Sequence, residues 1–232
     1  MNPEPSRPPE SGPTKTNEIL ELLRDDIINV RLKPGERLRF DELRHKYTIG
    51  ISPLREALTQ LASEGLVVSE QRKGYRVAPV NEGDLYEIAK LRGELDSLAI
   101  RESIRNGDEA WEGRILAAFH GLQKRKKLGP DGSVDADWET YHLRFHYELV
   151  SECRLPKLIA FRSILTSQAR RYLRIAVHYL SAPRDDVAEH RALRDAVLDR
   201  DAETAGALIR SHYDLTVQII LSKNDTMRLA GE

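Results

Sequence analysis

Cysteine is nearly absent. Cys153 is the only one in 232 residues, so no internal disulfide can form and the chain suits a reducing, cytoplasmic setting. A lone cysteine of this kind reads as a small buried hydrophobe rather than a nucleophile. No run of about 18 apolar residues occurs, so no membrane span is expected. The first fifteen residues, rich in Pro, Glu, Ser and Lys, contain no apolar stretch. They lack the form of a secretory signal and read as a disordered tail over 1–15. The formal net charge is −1, so the chain as a whole is no general polyanion binder. Internal repeats are missing, and so are the Ser-His-Asp and Cys-His signatures of nucleophilic catalysis.

What remains is long enough for one large or two modest domains, each able to bury a core. The most informative stretch runs from Ile49 to Leu66. Leu54, Ala57, Leu58, Leu61 and Ala62 recur at three- and four-residue steps, which predicts a helix with one buried and one presented face. Ser52 before Pro53 supplies a start signal and Gly65 a stop. Phe40, Leu43 and Tyr47 predict a short preceding helix, and Thr48-Ile49-Gly50 allows only a tight turn, giving a helix-turn-helix. After Gly65, Leu66–Val68 and Tyr75–Val77 predict two short strands around a basic tip, a wing. Thr16 to Val30 predicts a supporting helix capped by Thr16, and Pro34-Gly35 forces a turn. From Arg31 to Pro79 there are ten Lys/Arg against six acids, a positive excess where DNA would lie. Arg55 is the candidate base reader, because an Arg fork can bridge both acceptors of guanine. Ser52, Arg39, Arg72, Lys73 and Gly74 are assigned to phosphate or wing contacts.

PGERL at Pro34–Leu38, SPLREAL at Ser52–Leu58, EGLV at Glu64–Val67 and KGYRVAPV at Lys73–Val80 together resemble the amino-terminal domain of GntR-type bacterial transcription regulators. That family often has a Ser-Arg pair where this chain has Gly50-Ile51, so one base-contacting arginine implied by the resemblance is absent. The expected organisation is a winged helix-turn-helix over 16–79, a linker over 80–83, an all-α bundle over 84–223 and a tail over 224–232. Helices are predicted near Asp84–Arg105, Asp108–Lys127, Ala136–Glu152, Leu155–Tyr179, Arg184–Asp199 and Ala202–Lys223, with breaks at Gly129–Ser133 and Ser181–Pro183. The fold class is thus mainly α. LRGELDSLAI at Leu91–Ile100, HLRFH at His142–His146, EHRAL at Glu189–Leu193 and RDAETAGALIRSH at Arg200–His212 resemble the FCD effector domain of the FadR-type branch of that family. The sub-branch most similar is the CsiR type.

Polar groups on apolar helix faces mark a second site. His142 and His146 are four apart, so both project from one side of a helix. With a turn at Asp199–Asp201 and Asp201 as a cap, His190 and His212 reach similar height on antiparallel helices. Four histidines can then converge on a divalent ion, zinc foremost, with nickel or manganese as alternatives. The FCD resemblance implies the same four ligands, although the commoner family pattern has aspartate where this chain has His142, which makes the site less negative. The plain alternative is four ordinary helix histidines. His45, His120 and His178 read as structural or surface groups. Arg92 shares the face of Leu85, Ile88, Leu95 and Ala99, and a buried guanidinium needs a partner. That partner is either an effector carboxylate held bidentately or an internal Asp or Glu. Arg170, Arg171, Tyr172 and Arg174 offer further anion contacts, of which one or two can face inward.

The resulting expectation is a bacterial cytoplasmic homodimer that binds double-stranded operator DNA and a small carboxylate, a short dicarboxylate by resemblance to the CsiR type, and represses until the acid binds. A metal-sensing regulator uses the same residues. A metal-dependent hydrolase is disfavoured because Leu143 stands where an HExxH enzyme needs its general base.

Overall fold

The computed structural model describes residues 15–130, 132–175 and 184–222. The expected tails, apart from Lys15, lie outside the described residues, as do His178 and the break at Ser181–Pro183. The chain divides into two compact units, 1–78 and 79–232.

In the first unit α1 (Lys15–Ile28), α2 (Phe40–Tyr47) and α3 (Ile51–Ser63) surround a sheet of β1 (Arg37–Leu38), β2 (Val67–Glu70) and β3 (Gly74–Val77). The antiparallel strand order is β1-β3-β2, with Leu38 opposite Tyr75 and Val67 opposite Val77. Strand β1 was not predicted, because two residues carry no periodicity. It forms where the Lys33–Glu36 turn, with Gly35 at φ 76, brings the chain back beside β3. The buried core is the apolar stripe of α1 and α3, with Leu23, Ile27, Leu54, Leu58 and Leu61 closed off by Leu66 and Val77.

The ends of α3 differ in how well the sequence foretold them. Gly65 stops the helix as expected: at φ 71 it donates to Ala62 O (3.1 Å), and Leu66 N reaches Leu61 O (3.0 Å), the paired bonds of a left-handed C-terminal turn. The start corrects the prediction. Gly50, extended, is the cap, and its carbonyl accepts from Leu54 N. Ser52 and Pro53 therefore fall inside the first turn, where no residue's N–H has an intrahelical partner and proline is tolerated. Thr16 is likewise not a cap: α1 already includes Lys15, and the Thr16 hydroxyl donates to Glu56 on α3 (3.0 Å).

The second unit is helical: α4 (Glu82–Asn106), α5 (Glu109–Gln123), α6 (Ala136–Glu148), α7 (Pro156–Ile175), α8 (Asp186–Leu198) and α9 (Ala202–Ser222). Asn81, Asp108, Asp135, Asp185 and Asp201 each accept a first-turn N–H at 2.7–3.0 Å, which fixes five helix starts. The Asn81 cap starts α4 two residues before the predicted Asp84, and Val80 is buried, so much of the segment expected as a linker is built into the unit. Two helices end early for one reason, a side chain taking a carbonyl that the ladder would use. Arg125 takes Gly121 O at 2.6 Å and ends α5 at Gln123, four residues before Lys127. Arg162 takes His146 O at 3.0 Å while Val150 N turns to Tyr147 O, and α6 ends at Glu148 rather than at Glu152. Helix α4 packs on α7 and α9, and α5 on α6 and α8. The approach of α9 to α4 needs Gly206, where a Cβ would lie 2.4 Å from Ser97 Oγ. Cys153 is buried as expected.

A buried carboxylate ties α1 to α2. Asp26 accepts from Lys46 Nζ (2.7 Å), Tyr47 Oη and Arg31 Nε. Burial alone would raise its pKa, but these three donors hold it down to about 2. A carboxyl depressed from its usual value near 3.9 contributes stability that is present above that value and lost as pH falls through the folded one. The contribution is on the order of 2 kcal/mol. Asp26→Asn is expected to lower the unfolding free energy of the first unit by about 1–3 kcal/mol at pH 7. It should also flatten the loss between about pH 4 and pH 2, as read by urea melts across pH.

Candidate functional site

The reading-head residues occupy one unit but differ in freedom. Ser52 and Arg55 are exposed in the first turns of α3, and the Arg55 guanidinium lies 5.3 Å from the centre of the Phe40 ring. Such stacking orients a long side chain without neutralising it. Arg39, exposed before α2, donates to Glu42 at 2.9 Å. Arg72, Lys73 and Gly74 form the exposed wing tip, with Arg72 at φ 61 and Gly74 at φ 86 closing the turn through Lys73 N to Glu70 O (3.0 Å).

In the second unit the four predicted histidines do meet. Each of His142 and His146 on α6, His190 on α8 and His212 on α9 offers one ring nitrogen, and these atoms lie within 4.8 Å of one another. His146 Nε2 is 3.2 Å from both His142 Nε2 and His190 Nε2. The convergence of α8 and α9 follows from the short turn capped by Asp201, which leaves the His190 and His212 rings 4.8 Å apart. Burial pushes the pKa of all four below the ordinary value, and the neighbouring imidazoles push His142 and His146 further down. The rings are therefore neutral, with lone pairs free to bind.

Outer partners fix two rings. His190 Nδ1 donates to Asp186 O, and His212 Nδ1 donates to Glu189 Oε2 at 2.9 Å. Each leaves Nε2 facing the cluster, the arrangement expected behind metal-bound imidazoles. Glu189 is in turn bound by Arg184 (2.6 Å) and is held well below the usual carboxylate range: Arg184 and His212 overcome the burial that would raise it. His142 stacks on Trp138, with centroids 4.6 Å apart and planes 15° apart. Beneath the cluster Arg162 donates to Asp96 (2.6 Å) and to His146 O (3.0 Å), while Tyr213 donates to the other Asp96 oxygen. The donor set fits a divalent ion. His146 Nε2 lies 3.2 Å from two of the other ring nitrogens, near the spacing of ligands around one ion, and all four nitrogens fall within 4.8 Å of one another.

Beside the histidines opens a cavity whose lining includes His142, His190 and His212. Arg92 lines it, half-buried, with its guanidinium 4.1 Å from the centre of the Tyr213 ring. Among the described residues no ion pair with a carboxylate is found for Arg92, and its Nε is buried without an acceptor. The internal Asp or Glu considered as its alternative partner is thus not found there. Arg170 and Arg174 also line the cavity, both bound to Glu139. Arg171 and Tyr172 do not: Arg171 donates to Pro79 O, and Tyr172 donates to Asp84. Sequence reasoning missed Trp138, Glu139, Asp186 and Glu189. Trp138 could have been found by its four-residue spacing from His142, whereas the Asp186 carbonyl carries no side-chain signal.

Residues 15–77 match the model of the bacterial regulatory proteins of the gntR family, and residues 87–215 match that of the FCD domain. The chain belongs to the GntR family. It is 35% identical over 202 residues to the HTH-type transcriptional repressor GlaR of Escherichia coli, covering 85% of this chain and 92% of that one. It is 33% identical to the uncharacterized regulator BphR of Paraburkholderia xenovorans, covering 86% of this chain and 82% of that one. A GntR regulator from Rhodococcus sp. RHA1 shares the fold, with TM-score 0.70 at 21% identity over 90% of this chain and 98% of that one. Like those GntR relatives the chain is a DNA-binding transcription regulator rather than an enzyme. No described helix is long and apolar enough to cross a membrane.

Metal-stripped protein is expected to take up one zinc ion per chain in equilibrium dialysis. His146→Ala should abolish saturable uptake. Glu189→Gln, which removes only the outer partner of His212, should weaken it about 10–100-fold.

Proposed function

We propose that this GntR regulator is a cytoplasmic repressor whose hold on operator DNA is released by a small carboxylate bound beside a zinc ion in the FCD domain. The observation that carries the reading is one cavity lined both by His142, His190 and His212 of the four-histidine cluster and by Arg92, a cation with no carboxylate partner among the described residues. His142, His146, His190 and His212 are the metal-holding residues, and the set of nitrogen donors favours zinc over manganese. When bound, the ion supplies a positive charge that can accept an acid's oxygen. Arg92 orients the same carboxylate through its fixed fork of donors. The unpaired Arg92 also favours an acid over the metal alone as the signal.

On the DNA side, Arg55 reads base edges from α3, while Ser52, Arg39, Arg72, Lys73 and Gly74 meet the backbone or enter the groove beside the wing. Repression is carried over from the name of the Escherichia coli relative. A homodimer is supported by the outer face of the helical unit. Leu91 and Leu98, seven residues apart on one side of α4, are both exposed. A second copy that covers this face would bury it. Coupling requires only that the acid-bound and DNA-bound forms favour different conformations.

Two substitutions separate the functions. Arg55→Ala is expected to weaken binding to DNA fragments selected by the wild-type protein by about 1–3 kcal/mol, in fluorescence anisotropy at fixed salt. Non-specific DNA should be affected far less, and equal losses on both would remove Arg55 from the base-reading set. Arg92→Ala is expected to leave the protein on its operator at acid concentrations that release the wild type. An unchanged release curve would sink the carboxylate clamp.

A further inference from the structure

Arg55 stands on α3 with no carboxylate to hold it. The positions one helical turn away, Ile51, Ser52, Leu58 and Thr59, carry no acid, and the adjacent Glu56 accepts from the Thr16 hydroxyl at 3.0 Å. Among the described residues no ion pair is found for Arg55, whereas Arg39 and Arg44 each meet a carboxylate, Glu42 at 2.9 Å and Asp41 at 4.0 Å. The Arg55 guanidinium meets a ring instead, that of half-buried Phe40 at the start of α2, whose centre is 5.3 Å away.

That ring is itself braced. Phe40 packs on Tyr75 of β3, with centroids 6.1 Å apart and planes at 57°, and both side chains rest against the core of the first unit. Tyr75 Oη lies 3.0 Å from Thr59 Oγ1. Thr59 uses its one hydroxyl proton on Arg55 O, 2.8 Å away, so Tyr75 is the donor between them. The contacts close a loop. Helix α2 supplies the ring beside the guanidinium, the wing strand braces that ring, and the Tyr75 hydroxyl ends on the residue bonded to the Arg55 carbonyl.

An arginine free among its rotamers loses that freedom when it docks on a base edge, and one paired with a carboxylate must first part from it. A cation on an aromatic face is oriented beforehand and keeps its donors for the base. We propose that Phe40 and Tyr75 are positioning residues that preset the Arg55 guanidinium and so set how strongly the protein prefers its operator to other DNA. This rests on the reading of Arg55 as the base reader. Neither aromatic residue need touch DNA.

The test is fluorescence anisotropy of the full-length protein at fixed salt, with DNA fragments selected by the wild type and with an unrelated duplex of equal length. The readout is the ratio of the two affinities, which a general loss of folded protein does not move. Phe40→Leu keeps an apolar side chain without a ring and is expected to lower the ratio about three- to tenfold, whereas Phe40→Tyr should hold it near the wild-type value. Tyr75→Phe, which removes only the bond to Thr59, should lower it about two- to fivefold. In an Arg55→Ala background Phe40→Leu should change the ratio little, because nothing is left to position. A loss from Phe40→Leu as large in that background as in the wild type overturns the positioning role and leaves the base reading standing, as do unchanged ratios in both Phe40→Leu and Tyr75→Phe. A ratio untouched by Arg55→Ala alone overturns both.

Discussion

Four neutral imidazoles packed nitrogen to nitrogen inside a helical domain are the constraint on which the second unit depends. Lone pairs 3.2 Å apart repel unless a shared cation or proton lies between them. Each neutral imidazole keeps one ring N–H, and burial, which lowers the pKa of His142 and His146, opposes a second. Such a cluster persists only where the scaffold holds it, and each of its three helices has a distinct anchor. The Asp135 cap starts α6, the Asp186 carbonyl orients His190 on α8, and Glu189 fixes His212 on α9. Below them the Asp96–Arg162 pair, with Tyr213 on its free oxygen and the His146 carbonyl on its free nitrogen, joins α4, α6, α7 and α9 through one satisfied buried network.

The same network leaves Arg92 exposed to whatever enters the cavity. Asp96, one turn along α4, is the nearest acid in sequence on that face, and it is committed to Arg162 and Tyr213. Tyr213 meanwhile supports the Arg92 guanidinium with its ring face rather than with a charge. A cation held by an aromatic face stays available to an anion. The first unit shows the converse solution: Asp26 takes three donors and is saturated, a fastener with no capacity for a ligand.

Much of this was legible before any coordinates. Helical periodicity located α3 and the long helices of the second unit, because one buried stripe repeats along each. The four histidines were legible for a geometric reason: i, i+4 spacing fixes His142 against His146, and a short capped turn fixes the height of His190 against His212. Strand β1 was not legible, because pairing with β3 rather than any local pattern defines it. The early ends of α5 and α6 go with Arg125 and Arg162 capturing carbonyls, the second of them 16 residues away in sequence. The pairing states of the cavity's arginines were also hidden. Composition shows that Arg92, Arg170 and Arg174 exist, and only the fold shows that Glu139 serves two of them and no carboxylate among the described residues serves the third.

The most direct test of the central claim is the interdependence of metal and acid in thermal melts. Metal-stripped protein is melted alone, with zinc, with succinate and with both. A ligand at 100 times its Kd adds about 2.7 kcal/mol to a native state that alone binds it, a shift of several degrees for a protein of this size. The account predicts that zinc raises the melting temperature by itself and that succinate raises it further only when zinc is present. Equal stabilisation by succinate with and without zinc, or no response to zinc at all, would contradict it.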